Sequence, residues 1–178
     1  VPDQDITAPW WASKAEDWWK LAAENDFWQG GFVWTGFDYR GEPTPYKWPN
    51  VNSHFGIMDV CGFPKNIYYY YKSWWTDEDV IHISPHWNWN EKIGQPIEVW
   101  VNSNADDVEL FLNGKSLGKK TMPRNSHLKW EVTYEPGTLE AIGYKKGKKI
   151  STKVETTSTP YKVIATTEKN ILTADGKD

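Results

Sequence analysis

The sequence predicts an α+β protein in which a short helix-and-strand unit is followed by an all-β, immunoglobulin-like sandwich. Eleven of the 13 tryptophans lie between Trp10 and Trp89, whereas most of the lysines lie from Lys115 onward. After Thr76 the spacing of apolar residues changes from the helical period of about 3.6 to the strand period of 2. These two changes indicate two regions with different architecture.

The first region reads as loop, helix, strand, loop and helix. Residues 1–12 contain two prolines and predict an ordered loop. Ser13 and Glu16 have the spacing of a capping box, and the apolar residues that follow predict a helix over 14–26. A glycine pair then precedes a short apolar run that predicts a buried strand over 32–35. A helix followed closely by a buried strand is half of a βαβ repeat.

A long loop and a second helix complete this region. Residues 41–64 are rich in proline and glycine, so they predict a loop that holds at most a short FGIMD segment. Long ordered loops in compact domains are usually functional. Asn66 then begins the run IYYYYKSWW, whose aromatic residues cover every side of a helix and so imply burial on several faces.

The second region has the alternating pattern of short antiparallel strands. Six or seven strands are predicted, which favours an immunoglobulin-like sandwich. Asn113-Gly114 and Lys146-Gly147 are hairpin turn signals between them. A linker rich in serine and threonine over 156–159 then leads to apolar runs at 161–165 and 171–172, which predict the first strands of a further domain.

The composition of the chain limits the kinds of molecule that it is expected to bind. The net charge is −4, with acidic and basic residues mixed along the chain, which gives no electrostatic case for binding nucleic acid or an anionic membrane. No apolar run approaches the ~20 residues needed to cross a bilayer. A single cysteine, Cys61, rules out an internal disulfide and leaves the compartment open. The four histidines lack metal-ligand spacing, so we predict no metal and no other cofactor.

Two long motifs resemble a known family. GGFVWTGFDYRGEPTPY followed by HFGIMDVCGFPKNIYYYYKSWW resembles the last strand, loop and helix of the catalytic barrel of glycoside hydrolase family 2 β-galactosidases. The stretch from HISPHWNWN through VWVNSNADDVELFLNGKSLGKK to YEPGTLEAIGY is similar to the immunoglobulin-like domain that follows that barrel. The resemblance implies a (β/α)8 barrel end over 1–78, a sandwich over 79–157 and a truncated β domain over 158–178.

The resemblance implies a retaining, exo-acting β-galactosidase that removes terminal β-linked galactose from glycans. Such enzymes use two glutamates, which in this family lie on earlier barrel strands. Asn90-Glu91 is the only similar dipeptide, and it falls in a loop of the β region. We therefore expect no catalytic residue here and no activity from this chain alone.

The chain begins at Val1 rather than at a methionine and stops after an apparent strand. We therefore expect a longer parent protein, whose remainder is a partner of this chain together with a β-galactoside or other glycan. The resemblance is compatible with a periplasmic or secreted location, and the sequence gives no indication of oligomeric state.

Four residues are candidate sugar contacts. Trp34 matches the family's tryptophan that forms an apolar platform beneath the galactosyl ring, a role that suits a large aromatic plane. Asp38 lies four residues later, where it would accept hydrogen bonds from sugar hydroxyls or, alternatively, act as a loop cap or as a partner for Arg40. His54 and Phe55 fall where the family's loop closes the sugar subsite.

Other prominent residues receive structural roles. Glu42 and Asp38 lie in one short loop without the neighbours that would separate their pKa values, so a rim role for Glu42 is favoured over catalysis. Lys65 is expected to start the second helix, with the pocket rim as the alternative. Trp87 and Trp89 are expected to seal the contact between the two regions, although an exposed sugar platform stays open.

Two other classes of function remain. The chain is alternatively a non-catalytic carbohydrate-binding module, which would use exposed tryptophans as platforms, or a structural spacer domain. Saturable sugar binding that depends on one of those tryptophans distinguishes the first class from the second.

Overall fold

The computed structural model describes residues 11–169, 171 and 173–176. Within them lie two α-helices, α1 (Ala15–Ala23) and α2 (Asn66–Trp75), and one turn of 3-10 helix (Asn90–Lys92). Seven strands follow α2, namely β1 (Ile81–Ser84), β2 (Pro96–Ser103), β3 (Asp107–Leu112), β4 (Lys115–Thr121), β5 (Leu128–Thr133), β6 (Thr138–Lys145) and β7 (Lys148–Glu155). The described chain is thus mostly β-sheet with two helices before it.

The strands form two antiparallel sheets with the orders β1-β2-β5 and β4-β3-β6-β7. Val99 lies opposite Trp130 in the first sheet, and Leu110 lies opposite Ala141 in the second. Buried and less buried residues alternate along β3 and β5, because successive side chains of a strand point to opposite faces. The buried faces of the two sheets share one core, which is compatible with the immunoglobulin-like sandwich that the sequence predicts.

Trp87 lies inside this core. Its side chain is 0% exposed and packs edge-on against Tyr134, with 5.0 Å between ring centroids. The indole nitrogen donates to the carbonyl of Glu135 at 3.0 Å, so the one polar atom of the ring is satisfied. The expectation that Trp87 seals the contact between the two regions is therefore wrong, since it packs within the sandwich.

Two hairpins have the predicted turns. Asn113 and Gly114 have φ values of 51° and 78°, and Lys146 and Gly147 have values of 47° and 80°. Positive φ at both central residues is the geometry of type I′ turns, which match the twist of the flanking strands. Strand β4, after the first turn, has few apolar residues and was not individually predicted. It is an edge strand, where lysines discourage pairing with other chains.

We call residues 11–78 the helical unit. Its first helix is shorter than predicted and begins at Ala15, with Lys14 at the N-cap and no side-chain cap. The predicted capping box is therefore wrong. Glu16 instead accepts hydrogen bonds from Ser126 and His127 of the sandwich. These partners are distant in sequence, so local spacing gave no signal for them.

The predicted strand over 32–35 is also wrong, because no regular strand forms there. Its end is instead joined to the FGIMD segment by a short parallel pairing, with one bridge between Phe37 and Met58. Met58 donates its N–H to the carbonyl of Gly36 at 3.0 Å, and Asp38 donates to Met58 at 2.9 Å. A strand needs a row of partners on at least one edge, and one short neighbour does not supply it. The described residues do not form a barrel.

The last described part of the chain lies outside the sandwich. Residues 161–165 form no strand, contrary to the prediction, and Tyr161 and Val163 are exposed. The predicted strand at 171–172 includes one residue outside the described set. Most of the predicted loop over 1–12 also lies outside that set. No helix within the described residues combines the length and apolar character needed to span a membrane.

Candidate functional site

The candidate site is built on two neighbouring segments, 34–38 and 54–58. Gly56 lies so close to the first segment that a β-carbon added to it would be 2.2 Å from the backbone nitrogen of Asp38. Only glycine permits this approach. The glycine therefore sets the distance between the segment that carries Trp34 and the segment that carries His54 and Phe55.

Asp38 is bound within the chain. Its side chain is 8% exposed, and its Oδ1 accepts hydrogen bonds from the Lys65 Nζ and from the Gly56 N–H, both at 2.8 Å. The cationic partner of Asp38 is therefore Lys65 and not Arg40. Lys65 occupies the N-cap position of α2, as expected. A partly buried carboxylate requires such a partner, and the pair links the 34–38 segment to the start of α2.

Trp34 is 72% exposed, and its ring is nevertheless held by neighbours. Its indole nitrogen donates to the Tyr39 hydroxyl at 3.2 Å, and the two rings meet edge-on with 6.2 Å between centroids. The Tyr39 hydroxyl in turn donates to the Glu42 carboxylate. That hydrogen bond is the main reason why the pKa of Tyr39 is raised above its ordinary value.

Trp34, His54 and Phe55 line one cleft of about 560 Å³. Aromatic and apolar side chains form most of its wall, among them Trp18, Leu21, Trp28, Phe32, Tyr46 and Tyr71. His54 is oriented by a contact of 3.2 Å with the Asn50 Oδ1 and by an edge-on contact with Tyr46. Such a wall, with few polar groups, is typical of a binding site for a small molecule.

The structure brings together three of the four predicted site residues. Asp38 lies instead on a second cavity of about 420 Å³, which it shares with His54, Asn52 and Lys65. Tyr39 was not predicted. Its hydroxyl reaches Trp34 from five residues away, a spacing that fits neither the helical period nor the strand period, so no pattern in the sequence identifies it.

The described residues provide aromatic surface rather than an array of catalytic groups. Asp17 is the only acidic residue among the described residues that line the cleft. Within the described part of the chain, no group of three or more His, Cys, Asp and Glu side chains is arranged to hold a metal ion. Binding of an apolar or C–H-rich face is therefore the chemistry that this wall supports best.

The helical unit is fixed to the sandwich through the loop between β4 and β5. Tyr70 and Trp74 of α2 donate to the carbonyls of Asn125 and Ser126, at 2.7 and 3.1 Å. From α1, Trp19 donates to the Asn125 side chain at 3.2 Å. We call these contacts, together with those of Glu16, the junction.

Glu16 is the most connected charge of the junction. Its carboxylate accepts hydrogen bonds from Lys20, Ser126 and His127. Burial acts to raise the pKa of Glu16, but the hydrogen bonds from those three partners outweigh burial and lower the pKa to about 2. The carboxylate is therefore ionised at neutral pH and paired across the junction.

A histidine at a second contact between the helical unit and the sandwich stays neutral. His82 of β1 stacks on Tyr69 with 3.7 Å between ring centroids, and one ring nitrogen lies 3.0 Å from the Asn66 Oδ1. Burial lowers the pKa of His82 to about 4. Because that value lies well below neutrality, the contact between α2 and β1 at pH 7 involves an uncharged ring.

Trp89 is also not part of the junction. It stacks on His86 with 4.4 Å between centroids, and its indole nitrogen donates to the His86 carbonyl at 2.9 Å. The Lys92 ammonium lies 4.4 Å from the centre of its ring. The expectation that Trp89 seals the contact between the two regions is therefore wrong, since Trp89 packs partly against the sandwich core.

Comparisons with known proteins identify the relatives of this chain. A β-galactosidase of Bacteroides ovatus is 50% identical over 171 residues, covering 94% of this chain and 20% of that protein. A putative β-glucuronidase of Formosa agariphila is 44% identical over 156 residues, covering 84% of this chain and 15% of that protein. The chain thus spans about a fifth or less of the length of these relatives.

Solved structures give the same result. A crystal structure of a β-glycosidase from Bacteroides vulgatus has a TM-score of 0.77 and 38% identity, covering 83% of this chain and 19% of that one. A glycosyl hydrolase family 2 member from Bacteroides cellulosilyticus has a TM-score of 0.71 and 30% identity, covering 80% of this chain and 23% of that one.

These matches confirm the resemblance to glycoside hydrolase family 2. The chain is homologous to one segment of the β-galactosidases and β-glucuronidases of that family. Within it, residues 94–151 match the family model described as a domain of unknown function, DUF4982. That match covers β2 to β6 and the start of β7.

Proposed function

We propose that this chain is part of a retaining, exo-acting β-galactosidase and supplies one wall of its sugar-binding site. The observation that carries the proposal is the exposed Trp34 ring, oriented by Tyr39, in a cleft that includes His54 and Phe55. The C–H face of a sugar packs well on an aromatic plane, and an indole offers the largest one. Asp38 has a second role in this proposal, as a hydroxyl acceptor at the neighbouring cavity.

The catalytic carboxyl pair is assigned to the remainder of the parent protein. A retaining glycosidase needs two carboxyl groups about 5 Å apart, on either side of the anomeric carbon. Asp38 is already bound by Lys65, and Glu42 accepts a hydrogen bond from Tyr39. Both carboxylates thus have structural partners, which supports a binding role for this chain and predicts that it is inactive alone.

The charge of the cleft supports a neutral sugar. The named relatives include both a β-galactosidase and a putative β-glucuronidase, and a glucuronide differs in carrying a carboxylate. Proteins bind carboxylates with arginine or lysine. Neither occurs among the described residues that line the cleft, and Lys65, beside the neighbouring cavity, is paired with Asp38. A galactoside is therefore favoured over a glucuronide.

The same proposal divides the chain into parts. Residues 1–78 would be the end of a (β/α)8 barrel, residues 79–157 an immunoglobulin-like sandwich, and residues 158–178 the beginning of a further β domain. Apolar side chains of the helical unit outside the cleft, such as Phe37, are exposed. Neighbouring barrel strands from the rest of the parent chain would cover such side chains and pair with the backbone of 32–35.

A chimaeric enzyme tests the proposal directly. We would replace the matching segment of the Bacteroides ovatus β-galactosidase with this chain and assay hydrolysis of nitrophenyl β-galactoside and β-glucuronide. We expect activity on the galactoside, and a fall in kcat/KM of roughly 10- to 100-fold for Trp34→Ala, since aromatic stacking is worth on the order of 1–3 kcal/mol.

Trp89→Ala is the matched control, because Trp89 does not line the cleft. Unchanged kcat/KM in the Trp34→Ala chimaera would contradict the proposal, and so would hydrolysis by the 178-residue chain alone. Preference for the glucuronide would overturn the galactoside assignment.

A non-catalytic carbohydrate-binding module is the second candidate, because Trp34 is exposed in a cleft whose neighbouring carboxylates have structural partners. Under that hypothesis the isolated chain binds galactose saturably. The chimaera would then be inactive.

A further inference from the structure

Trp34 has an unusual combination of exposure and restraint. Most of its ring surface faces solvent, yet its N–H is bound by a side chain of the same loop at 3.2 Å. An exposed indole does not need such a partner, because water satisfies its N–H at little cost. The intramolecular bond, together with the edge-on contact with Tyr39, therefore restricts the orientation of the ring.

The direction of each hydrogen bond follows from chemistry. An indole N–H can only donate and an ionised carboxylate can only accept. The Tyr39 hydroxyl must therefore accept from Trp34 and donate its single proton to Glu42. Glu42 thus keeps the hydroxyl proton away from Trp34 and leaves an oxygen lone pair facing the indole.

Tyr39 is itself anchored on both sides of its backbone. Its N–H donates to the Ser53 Oγ at 3.1 Å, and its carbonyl accepts from the Ser53 N–H at 2.8 Å. Ser53 is fully buried. Close by, the Gly41 N–H donates to the Val51 carbonyl at 2.8 Å. The acceptor for Trp34 is therefore mounted on a fixed part of the loop.

We infer that Tyr39 and Glu42 are positioning residues that hold the Trp34 ring in the orientation needed to receive the face of a neutral sugar. The inference rests on the proposed function and deepens it. Neither residue needs to touch the sugar, because each acts through the indole. Fixing a binding group before the ligand arrives removes the entropic cost of ordering it upon binding.

The test combines a spectroscopic signature in the 178-residue chain with kcat/KM of the chimaeric enzyme for nitrophenyl β-galactoside. In ¹⁵N-labelled protein, the indole N–H resonance of Trp34, assigned by its loss in Trp34→Phe, reports its hydrogen bond through exchange with water. We expect Tyr39→Phe to accelerate this exchange about fivefold and to lower kcat/KM of the chimaera by a similar factor, as loss of one hydrogen bond implies.

Three further variants complete the design. Glu42→Gln keeps an acceptor for the Tyr39 hydroxyl, so this variant should stay close to the wild type. Glu42→Ala removes that acceptor and should resemble Tyr39→Phe. Tyr144→Phe is the matched control, since the Tyr144 hydroxyl also donates to a glutamate, Glu109, at 3.2 Å, but on the sandwich. Tyr144→Phe should change neither the exchange rate of the Trp34 indole N–H nor the response to the galactoside.

The outcomes separate the two proposals. If the wild-type chimaera hydrolyses the galactoside and Tyr39→Phe leaves both kcat/KM and indole exchange unchanged, the positioning role is refuted while the proposed function stands. If the wild-type chimaera does not hydrolyse the galactoside, the proposed function fails. The exchange rate of the indole N–H still tests whether Tyr39 holds the Trp34 ring. An unchanged rate in Tyr39→Phe would refute that role.

Discussion

The sandwich and the helical unit contain the same kinds of large aromatic residues but bury them to different extents. In the sandwich, Trp87 is 0% exposed and lies in a core to which both sheets contribute. In the helical unit, Trp34 and Trp48 are largely exposed. Because both regions lie in one chain and one solvent, the contrast reflects how many elements surround each tryptophan rather than the type of residue.

The helical unit depends on the sandwich for much of its support. Its own buried apolar cluster has four members, Ala15, Ile67, Tyr70 and Tyr71. Trp74 packs against both this cluster and the sandwich core. The junction adds hydrogen bonds from both helices to one loop. The sandwich is therefore expected to fold without the helical unit, whereas the reverse is not expected.

The largest predicted effect is in the sandwich core. Trp87→Ala removes a fully buried indole and its hydrogen bond to Glu135, and such truncations cost about 3–5 kcal/mol. Urea denaturation followed by circular dichroism should show that loss in the free energy of unfolding. Trp87→Phe, which keeps most of the ring volume, should cost less. A loss below about 1 kcal/mol for Trp87→Ala would contradict the idea that this core carries the fold.

A smaller effect is predicted at the junction. The pKa of Glu16 is lowered from 4.5 to about 2 in the folded chain, so the ionised form stabilises the fold above pH 4.5. That contribution is lost as the pH falls from 4.5 toward 2. Glu16→Gln should therefore lower the free energy of unfolding by about 1–3 kcal/mol at pH 7, and by much less near pH 2.

The pH dependence is the diagnostic part of this prediction. Other carboxylates also titrate in this range, so the quantity to measure is the difference in unfolding free energy between wild type and Glu16→Gln at each pH. Asp17→Asn, one residue along α1, is the matched control. A difference that stays constant from pH 7 to pH 2 would show that ionised Glu16 does not hold the junction together.

How far the sequence predicts the structure depends on how local the determining contacts are. The sandwich strands and both hairpin turns follow from alternation and turn chemistry within a few residues. The strand predicted over 32–35 has an equally clear apolar run, yet it is absent, because its one neighbour, the FGIMD segment, is too short to supply a row of pairing partners. Periodicity alone does not report how many partners a segment has.

In the candidate site, too, features set by local sequence were predicted and those set by distant partners were not. A tryptophan platform near His54 and Phe55 was predicted from the motif that contains it, and those three residues do line one cleft. The partners of Asp38 and Glu16 were not predicted. Lys65 lies 27 residues from Asp38 in the chain, and His127 lies 111 residues from Glu16. Side-chain pairs at such separations leave no trace in local patterns.

The smallest predicted effect completes the comparison between the two regions. Trp48→Ala makes the same chemical change as Trp87→Ala, but at a side chain that is 84% exposed. Surface substitutions away from special contacts usually change stability by less than about 0.5 kcal/mol, so the urea midpoint should hardly move. A loss above about 1 kcal/mol would mean that Trp48 packs against the helical unit in solution, and the contrast in burial between the two regions would then be weaker than the structure indicates.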